Sequence, residues 1–395
     1  MHQNCVGIGY LGEFVMDFRS VAALLLALCI SIPANFCGEA RLQRRIDVPA
    51  YFVFGDSFAD VGTNNFLPYA ASRANFPPYG ETFFHKATGR FTNGRNIVDL
   101  FAQTVGLPIA PPFLQPNSSF IAGVNFASAG SSLLNSTIFN NKELVGSTGS
   151  PQAVPLSEQV DQYKTVRILL RNVLSPLEAQ KLISKSVFLI LSGSDDLLEY
   201  LSNFEIQNRM NATQFMSNVV EAYRTTLTDL YKGGARKALL VGLTPLGCSP
   251  SARATNPRNP GECLVEGNEL AMRFNNDVRQ LVDELHVTFP DYNVIFGESY
   301  NLIEAMINDK KSSGLDNVNA ACCGAGFLNA QVRCGLPMPS GMLDVGQPLC
   351  KHPSKFLFWD VVHPTEQVVR LLFKSFWAGN SSTSYPMNIK ALVSL

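Results

Sequence analysis

Four short apolar runs, separated by longer amphipathic stretches, constrain the fold more than any other feature of this sequence. Each run ends near Gly or Ser, and strands that are apolar on both faces are typical of a parallel sheet covered by helices. The runs are residues 50–54, 187–191, 238–241 and 293–296. Apolar residues recur at helical spacing between them, at 158–174, 213–231 and 264–286. The alternation predicts an α/β fold with right-handed crossovers and functional sites at the carboxyl ends of the strands.

Composition and charge narrow the classes of partner. The 395 residues are 46% hydrophobic and 16% charged, which is enough apolar surface for a large core and excludes a disordered chain. With 31 Lys and Arg against 32 Asp and Glu, the formal net charge is -1. The electrostatic field of such a small net charge is too weak to recruit nucleic acid or an anionic membrane. Without a repeat or an evident linker, we expect one domain over residues 41–395.

The N-terminus has the pattern of a secretory signal peptide. Met16, Asp17, Phe18 and Arg19 precede an apolar run at 21–32, and small residues follow it. The run is shorter than the ~20 residues that span a bilayer, so we expect cleavage, with residues 1–40 removed and no transmembrane segment left. An uncleaved anchor or a buried helix is the alternative. Met16 is a possible true start, because residues 1–15 carry no clear basic region.

Cysteines and glycosylation sequons agree with export to the cell exterior or wall. Six cysteines remain after the leader, and an even number suits disulfides. They are Cys248, Cys263, Cys322, Cys323, Cys334 and Cys350. Short spacing favours Cys248 with Cys263 and leaves the other pairings open; with no C-x-x-C pair we expect no metal site. The N-glycan acceptors are Asn117, Asn135, Asn211 and Asn380.

A serine directly follows the first predicted strand, in Gly55-Asp56-Ser57. The turn places its hydroxyl at the carboxyl edge of the sheet, where it can serve as a nucleophile. A helix N-cap is the competing interpretation, and taken alone the tripeptide favours that one.

A carboxylate and an imidazole lie three residues apart near the C-terminus, as Asp360 and His363. Such a carboxylate orients the imidazole and stabilises the imidazolium that forms when the imidazole takes a serine proton. A surface ion pair at a helix start is the alternative. Together with Ser57, the pair supplies a nucleophile, a general base and a group that orients the base.

Six sequence blocks in the same order resemble the plant-type GDSL esterase/lipase family, a branch of the SGNH hydrolases, over most of the mature chain. They are residues 54–62, 78–80, 88–95, 124–130, 322–324 and 359–364. The resemblance implies a three-layer α/β/α, flavodoxin-like fold with a central parallel sheet. It also implies a carboxylic ester hydrolase that uses no cofactor, with Ser57 as nucleophile, His363 as general base, Asp360 as orienting group and Gly130 as an oxyanion-hole donor beside the Ser57 N–H.

The fourth family position departs from the pattern. Where the family has Gly-x-Asn-Asp, this chain has Gly193, Ser194, Asp195 and Asp196. An ionised Asp195 only accepts hydrogen bonds and would repel an oxyanion, whereas a protonated one can donate. We expect either a raised pKa at Asp195, or a carboxyl turned away while Ser194 or a water donates.

Two other functions use the same residues. A catalytically weak or silent secreted binding protein would keep the groove and lose turnover through Asp195. An acyltransferase would use the same three groups with an acceptor other than water. Acyl lipids, polyesters, acetylated polysaccharides and small esters all remain candidate substrates.

Overall fold

The computed structural model describes residues 47–70, 72–134, 153–335 and 349–395. The predicted signal peptide at 1–40 and the sequon at Asn135 lie outside these residues, and the domain boundary after residue 40 stays a prediction. Among the described residues, no helix combines the length and apolar character needed to cross a bilayer.

Six strands form the central sheet, in the order β2-β1-β3-β4-β5-β8. The first five strands in this order pair in parallel with their neighbours, and β8 pairs antiparallel with β5 at the edge of the sheet. They are β1 (Tyr51–Gly55), β2 (Gly123–Asn125), β3 (Val187–Leu191), β4 (Lys237–Val241), β5 (Asn293–Gly297) and β8 (Ser384–Tyr385). The four predicted strands are β1, β3, β4 and β5, each within one residue of its expected bounds.

Helices connect the strands and cover both faces of the sheet. They are α1 (Ile97–Val105), α2 (Leu156–Val173), α3 (Pro176–Lys185), α4 (Ser194–Ser202), α5 (Phe204–Arg209), α6 (Ala212–Lys232), α7 (Pro250–Ala254), α8 (Val265–Thr288), α9 (Ser299–Asn308), α10 (Glu366–Ala378) and α11 (Ile389–Ser394). The three predicted helices are α2, α6 and α8, each displaced by no more than two residues at either end.

Alternate side chains of β1 enter two separate cores. Phe52 and Phe54 pack in a cluster with residues of α2, α6 and α8. Tyr51 and Val53 pack in a second cluster with residues of α1 and α10. Because a strand turns successive side chains to opposite faces, this division places one helical layer on each side of the sheet. The predicted three-layer α/β/α class is confirmed, with the antiparallel β8 as an addition.

A small second sheet lies directly before Asp360 and His363 in the chain. It pairs β6 (Asn317–Ala321) with β7 (Phe356–Phe358) in parallel. Disulfides join Cys322 to Cys350 and Cys323 to Cys334 directly after β6. The third disulfide is the expected Cys248–Cys263 pair. The backbone N–H groups of Cys322 and Cys323 donate to the carbonyls of Phe358 at 3.0 Å and Trp359 at 2.8 Å, which holds the start of this loop beside the segment 359–364.

Candidate active site

The turn that presents Ser57 depends on Gly55 and on a buried glutamine. Gly55 has φ 133°, and a Cβ there would collide with the carbonyl of Leu191 on β3. Gln159 of α2 accepts from the Gly55 N–H at 2.8 Å and donates to the Gly55 carbonyl at 2.9 Å. Both backbone groups of this last strand residue are therefore paired, and Ser57 follows at a defined position. Ser57 is half-buried.

Ser57, His363 and Asp360 form one hydrogen-bonded chain. His363 Nε2 lies 2.7 Å from Ser57 Oγ, across 306 residues of sequence. His363 Nδ1 lies 2.8 Å from Asp360 Oδ1 and 2.9 Å from its Oδ2. With Nδ1–H donated to the carboxylate, Nε2 is free to accept the serine proton. The arrangement can generate a serine nucleophile.

Hydrogen-bond donors from three residues stabilise the Asp360 carboxylate. Its Oδ1 accepts the backbone N–H groups of Val362 at 3.0 Å and His363 at 2.8 Å. Its Oδ2 accepts the Tyr79 hydroxyl at 2.8 Å. Burial raises the pKa of Asp360, but the charge of His363 and these hydrogen bonds outweigh it, so the pKa lies below its usual value. Burial and the Asp360 charge raise the pKa of Tyr79, which keeps the phenol protonated as a donor.

Buried ion pairs from the block 88–95 position the loop that carries His363. Arg95 binds Glu366 at the first turn of α10, with Nη2 to Oε1 at 2.6 Å. Asn93 Oδ1 accepts the Glu366 N–H at 2.8 Å. Arg90 forms two 2.7 Å bonds to Asp99 of α1. This block therefore has a structural role, anchoring α10 directly after the histidine.

Gly130 lies in the loop after β2, at the same edge of the sheet as Ser57. Its φ is 86°, a conformation that favours glycine. Asp60 accepts the neighbouring Ala129 N–H at 3.0 Å, and Asn64 donates to the Ala129 carbonyl at 2.9 Å. These two buried side chains tie the Gly130 loop to the segment that follows Ser57.

Asp195 lies at the first turn of α4, facing Gly130. The residue is half-buried, but its Oδ2 is enclosed and has no hydrogen-bond partner among the described residues. Burial, together with the charges of Asp56, Asp196 and Glu199, raises the pKa of Asp195 well above its ordinary value, while the Gly130 N–H lowers it. Which of the two expected arrangements of Asp195 serves an oxyanion stays a prediction.

A family model described as GDSL-like Lipase/Acylhydrolase matches residues 51–376. The chain belongs to this family. It is 35% identical to GDSL esterase/lipase 6 of Arabidopsis thaliana, over 87% of this chain and 90% of that protein. It is 33% identical to GDSL esterase/lipase 7 of the same plant, over 91% of this chain and 95% of that protein. Membership of this family supports the conclusion that the protein is a hydrolase that acts on ester bonds.

Among solved structures, this GDSL protein resembles a catalytic mutant of Axe2, an acetylxylan esterase from Geobacillus stearothermophilus. The TM-score is 0.35 and the identity 12%, over 83% of this chain and 92% of that one.

Gln159 and Tyr79 support the site of this GDSL protein, and neither is among the predicted site residues. Ser194, the alternative oxyanion donor, donates its hydroxyl to the buried carboxyl of Asp56. Burial raises the pKa of Asp56 to about 6, against hydrogen bonds from Ser194 and Phe58 that lower it. Gln159 and Tyr79 reach the site from distant parts of the chain, and no local pattern marks Gln159. Tyr79 lay in a matched block, which was the one available signal.

Three of the four predicted glycosylation sites are described. Asn117, Asn211 and Asn380 are exposed. Asn211 also caps α6, with its side chain accepting the Gln214 N–H at 2.9 Å. Their exposure is compatible with modification, which stays a prediction.

Proposed function

We propose that this GDSL protein is a secreted serine esterase that hydrolyses carboxylic esters with Ser57, His363 and Asp360. The observation that carries the proposal is the 2.7 Å approach of Ser57 Oγ to His363 Nε2, with the other ring nitrogen on a buried carboxylate. A serine placed for capping alone requires no such base. The predicted signal peptide, three disulfides and exposed sequons support export.

The groups account for both halves of the reaction. His363 takes the hydroxyl proton as Ser57 Oγ bonds to the ester carbonyl carbon. The imidazolium, stabilised by Asp360, then gives that proton to the departing alkoxide, and an acyl-enzyme remains. A water attacks the acyl-enzyme by the same route, which releases the acid and restores Ser57. Every proton is returned, so the mechanism needs only protein groups and water.

The oxyanion is bound, in this proposal, by the N–H groups of Ser57 and Gly130 and by a protonated Asp195. A neutral carboxyl carries one O–H donor, which replaces the amide donor of the family asparagine. Burial beside the Asp56 and Asp196 carboxyls supports the protonated form, because each added negative charge there is repelled by the others. Asp195 then assists catalysis only while it retains its proton.

His363 is also shielded from solvent. Its ring lies 5.1 Å from the Phe58 ring and 5.0 Å from the Phe91 ring, centroid to centroid. Its side chain is 12% exposed. Partial exclusion of water strengthens the hydrogen bonds along the chain from Asp360 to Ser57.

A fluorophosphonate probe and an ester panel test the proposal together. We expect covalent labelling at Ser57 and ester turnover in the native protein, and loss of both in Ser57→Ala. Ser202→Ala, at an exposed serine on α4, is the matched control and should retain both. Absence of labelling in a folded native protein would favour the silent binding protein. Labelling with turnover only when an alcohol acceptor is added would favour an acyltransferase.

A further inference from the structure

A buried carboxylate, Asp60, connects the two backbone N–H groups, of Ser57 and Gly130, that are proposed to bind the oxyanion. Asp60 is fully buried and lies three residues after Ser57. Its Oδ2 accepts the Ala129 N–H at 3.0 Å, and Ala129 directly precedes Gly130. The carboxylate therefore joins the turn that carries the Ser57 N–H to the loop that carries the Gly130 N–H.

One turn of backbone fixes the side of this connection that carries the nucleophile. The N–H groups of Ala59 and Asp60 donate to the Asp56 carbonyl at 3.1 Å and 3.0 Å. The second carboxyl oxygen, Oδ1 of Asp60, accepts the N–H groups of Gly62 and Thr63, each at 2.7 Å. An aspartate side chain bonded to the backbone of its own turn is fixed in orientation. Its Oδ2 is therefore presented to the neighbouring loop at a defined position.

The loop before Gly130 has a backbone tie and a side-chain tie. Ser128 donates its N–H to the Gly55 carbonyl at 3.0 Å, and Ala129 donates its N–H to Asp60. Gly55 and Asp60 lie on either side of the nucleophile in the chain, so the two bonds bracket it. The tie at Ser128 depends on no side chain, whereas the tie at Ala129 is lost when Asp60 is replaced.

The chemistry of these contacts requires a carboxylate at position 60. The N–H groups of Gly62, Thr63 and Ala129 all donate to it. An amide has one accepting oxygen and an NH₂ group that donates, so it would turn a donor toward one of these N–H groups. A buried N–H without an acceptor is unfavourable, which displaces the backbone that carries it. Burial raises the pKa of Asp60 to about 6 against the hydrogen bonds that lower it, so the carboxyl is ionised above that pH.

We propose that Asp60 is a positioning residue for ester hydrolysis: its carboxylate sets the separation of the Ser57 and Gly130 N–H groups, and so the strength with which they bind the oxyanion. Oxyanion stabilisation depends on donors that are in place before the reaction, and a displacement of about 1 Å can lower the rate by about 10²-fold. In this role Asp60 does not touch the reacting atoms and acts only through the Gly130 N–H. The inference rests on the proposed function.

The first test is the steady-state kinetics of Asp60→Asn with p-nitrophenyl butyrate, on the full disulfide-bonded chain. We expect kcat to fall by about 10- to 100-fold with KM changed by less than about threefold, because the oxyanion is present in the transition state and absent from the bound ester.

Val282→Ala is the matched control for a loss of stability. Val282 is fully buried on α8, toward the end of that helix that leads into β5 and away from the edge of the sheet where Ser57 lies. Its truncation should lower Tm and leave kcat at the native value.

Inhibition by n-butylboronic acid gives a readout that a merely structural role would not move. Ser57 Oγ bonds to boron while its proton passes to His363, and one boron-bound oxygen of the tetrahedral adduct takes the position of the oxyanion. Asp60→Asn should raise the inhibition constant by about the factor by which it lowers kcat. Val282→Ala should leave the inhibition constant unchanged.

A double variant identifies the group through which Asp60 acts. Asp60→Asn and Gly130→Ala displace the same N–H in this proposal, so the kcat of the double variant should lie within about threefold of that of the less active single variant. Effects on kcat that multiply would show that the two residues act independently, and would overturn the proposal.

The possible failures are distinguishable. A folded Asp60→Asn with native kcat and native boronate inhibition overturns the positioning role and leaves the esterase intact. If Asp60→Asn does not fold, Asp60→Glu carries the test, because it keeps the charge but displaces the oxygens by one methylene; kcat should again fall by about tenfold or more, and a native kcat again overturns the role. A native protein that hydrolyses no ester and is not labelled at Ser57 overturns the proposed function, and the positioning role with it.

Discussion

Replacing Asp195 with asparagine should make the pH profile of ester hydrolysis lose its alkaline limb. In the native protein Asp195 must be protonated to donate to the oxyanion, so kcat should fall as this carboxyl loses its proton. The pKa of Asp195 is raised well above its ordinary value by burial and by the Asp56 and Asp196 charges, which moves the falling limb to higher pH than an exposed aspartate would give. An asparagine at this position donates at every pH.

The magnitude follows from the loss of one oxyanion donor. Such a loss typically costs ~10² to ~10³ in kcat, and an ionised Asp195 adds repulsion to that cost. We therefore expect Asp195→Asn to match the native enzyme within a few-fold at acid pH. Above the falling limb it should exceed the native enzyme by about 10²-fold or more.

The assay is kcat on one short-chain ester, recorded from about pH 5 to about pH 10 for both proteins, with Tm at each pH. The decisive quantity is the ratio of the variant rate to the native rate. A ratio that does not change with pH, in proteins that stay folded, would refute the role of Asp195 ionisation.

Asp196→Asn supplies a second, independent check of the same reasoning. The Asp196 carboxyl accepts the Leu133 N–H at 2.8 Å and the Leu134 N–H at 3.0 Å. Burial raises its pKa to about 7, so it is largely ionised above that pH. Removing its charge lessens the repulsion on ionised Asp195, and the falling limb should move to lower pH. A shift to higher pH would contradict the coupling.

Three further substitutions test the support of the site. Tyr79→Phe removes the hydroxyl that donates to Asp360, and we expect kcat to fall by about tenfold with little change in KM. Steady-state kinetics measure this effect, and Tm shows whether the variant is folded. An unchanged kcat would contradict the positioning role of Tyr79. Arg90→Met leaves the buried Asp99 carboxylate without its ion-pair partner, so urea titration should show a free energy of unfolding lower by about 3–5 kcal/mol. A loss under about 1 kcal/mol would contradict the importance of this ion pair for stability. Gly130→Ala places a side chain on a residue with positive φ, and the added methyl has room because its nearest neighbour is Ala153 Cβ at 3.4 Å. We therefore expect a folded protein whose backbone N–H at residue 130 is displaced and whose kcat is about tenfold or more below the native value. A native kcat would contradict the donor role of Gly130.

Local patterns predicted the layers of the fold but not its edges. The strands β1, β3, β4 and β5 are continuous apolar runs, and their burial on both faces is a property that sequence expresses directly. The three-residue β2 and the two-residue β8 carry no such run, and each exists because a longer neighbour offers hydrogen-bonding groups. The β6–β7 sheet likewise depends on pairing across a long loop.

The sequence points to the residues of the candidate site, but it does not determine their protonation states. The identity of Ser57, Asp360 and His363 followed from short motifs and from the resemblance to a family. Whether Asp195 donates or repels was undecided, because protonation depends on burial and on carboxylates that other elements contribute. The four cysteines after residue 321 were similarly open, since spacing alone permits several pairings.

The sequence by itself determined which segments become strands and helices, which faces they bury, and which residue types are available for chemistry, because side-chain periodicity and backbone preference act over a few residues. Only the tertiary structure decided that a serine and a histidine 306 positions apart come within 2.7 Å. It also decided that Tyr79 holds Asp360 and that Asp195 lies among other carboxyls. Distances and pKa values of this kind depend on how the layers pack, and no local stretch of residues contains that information.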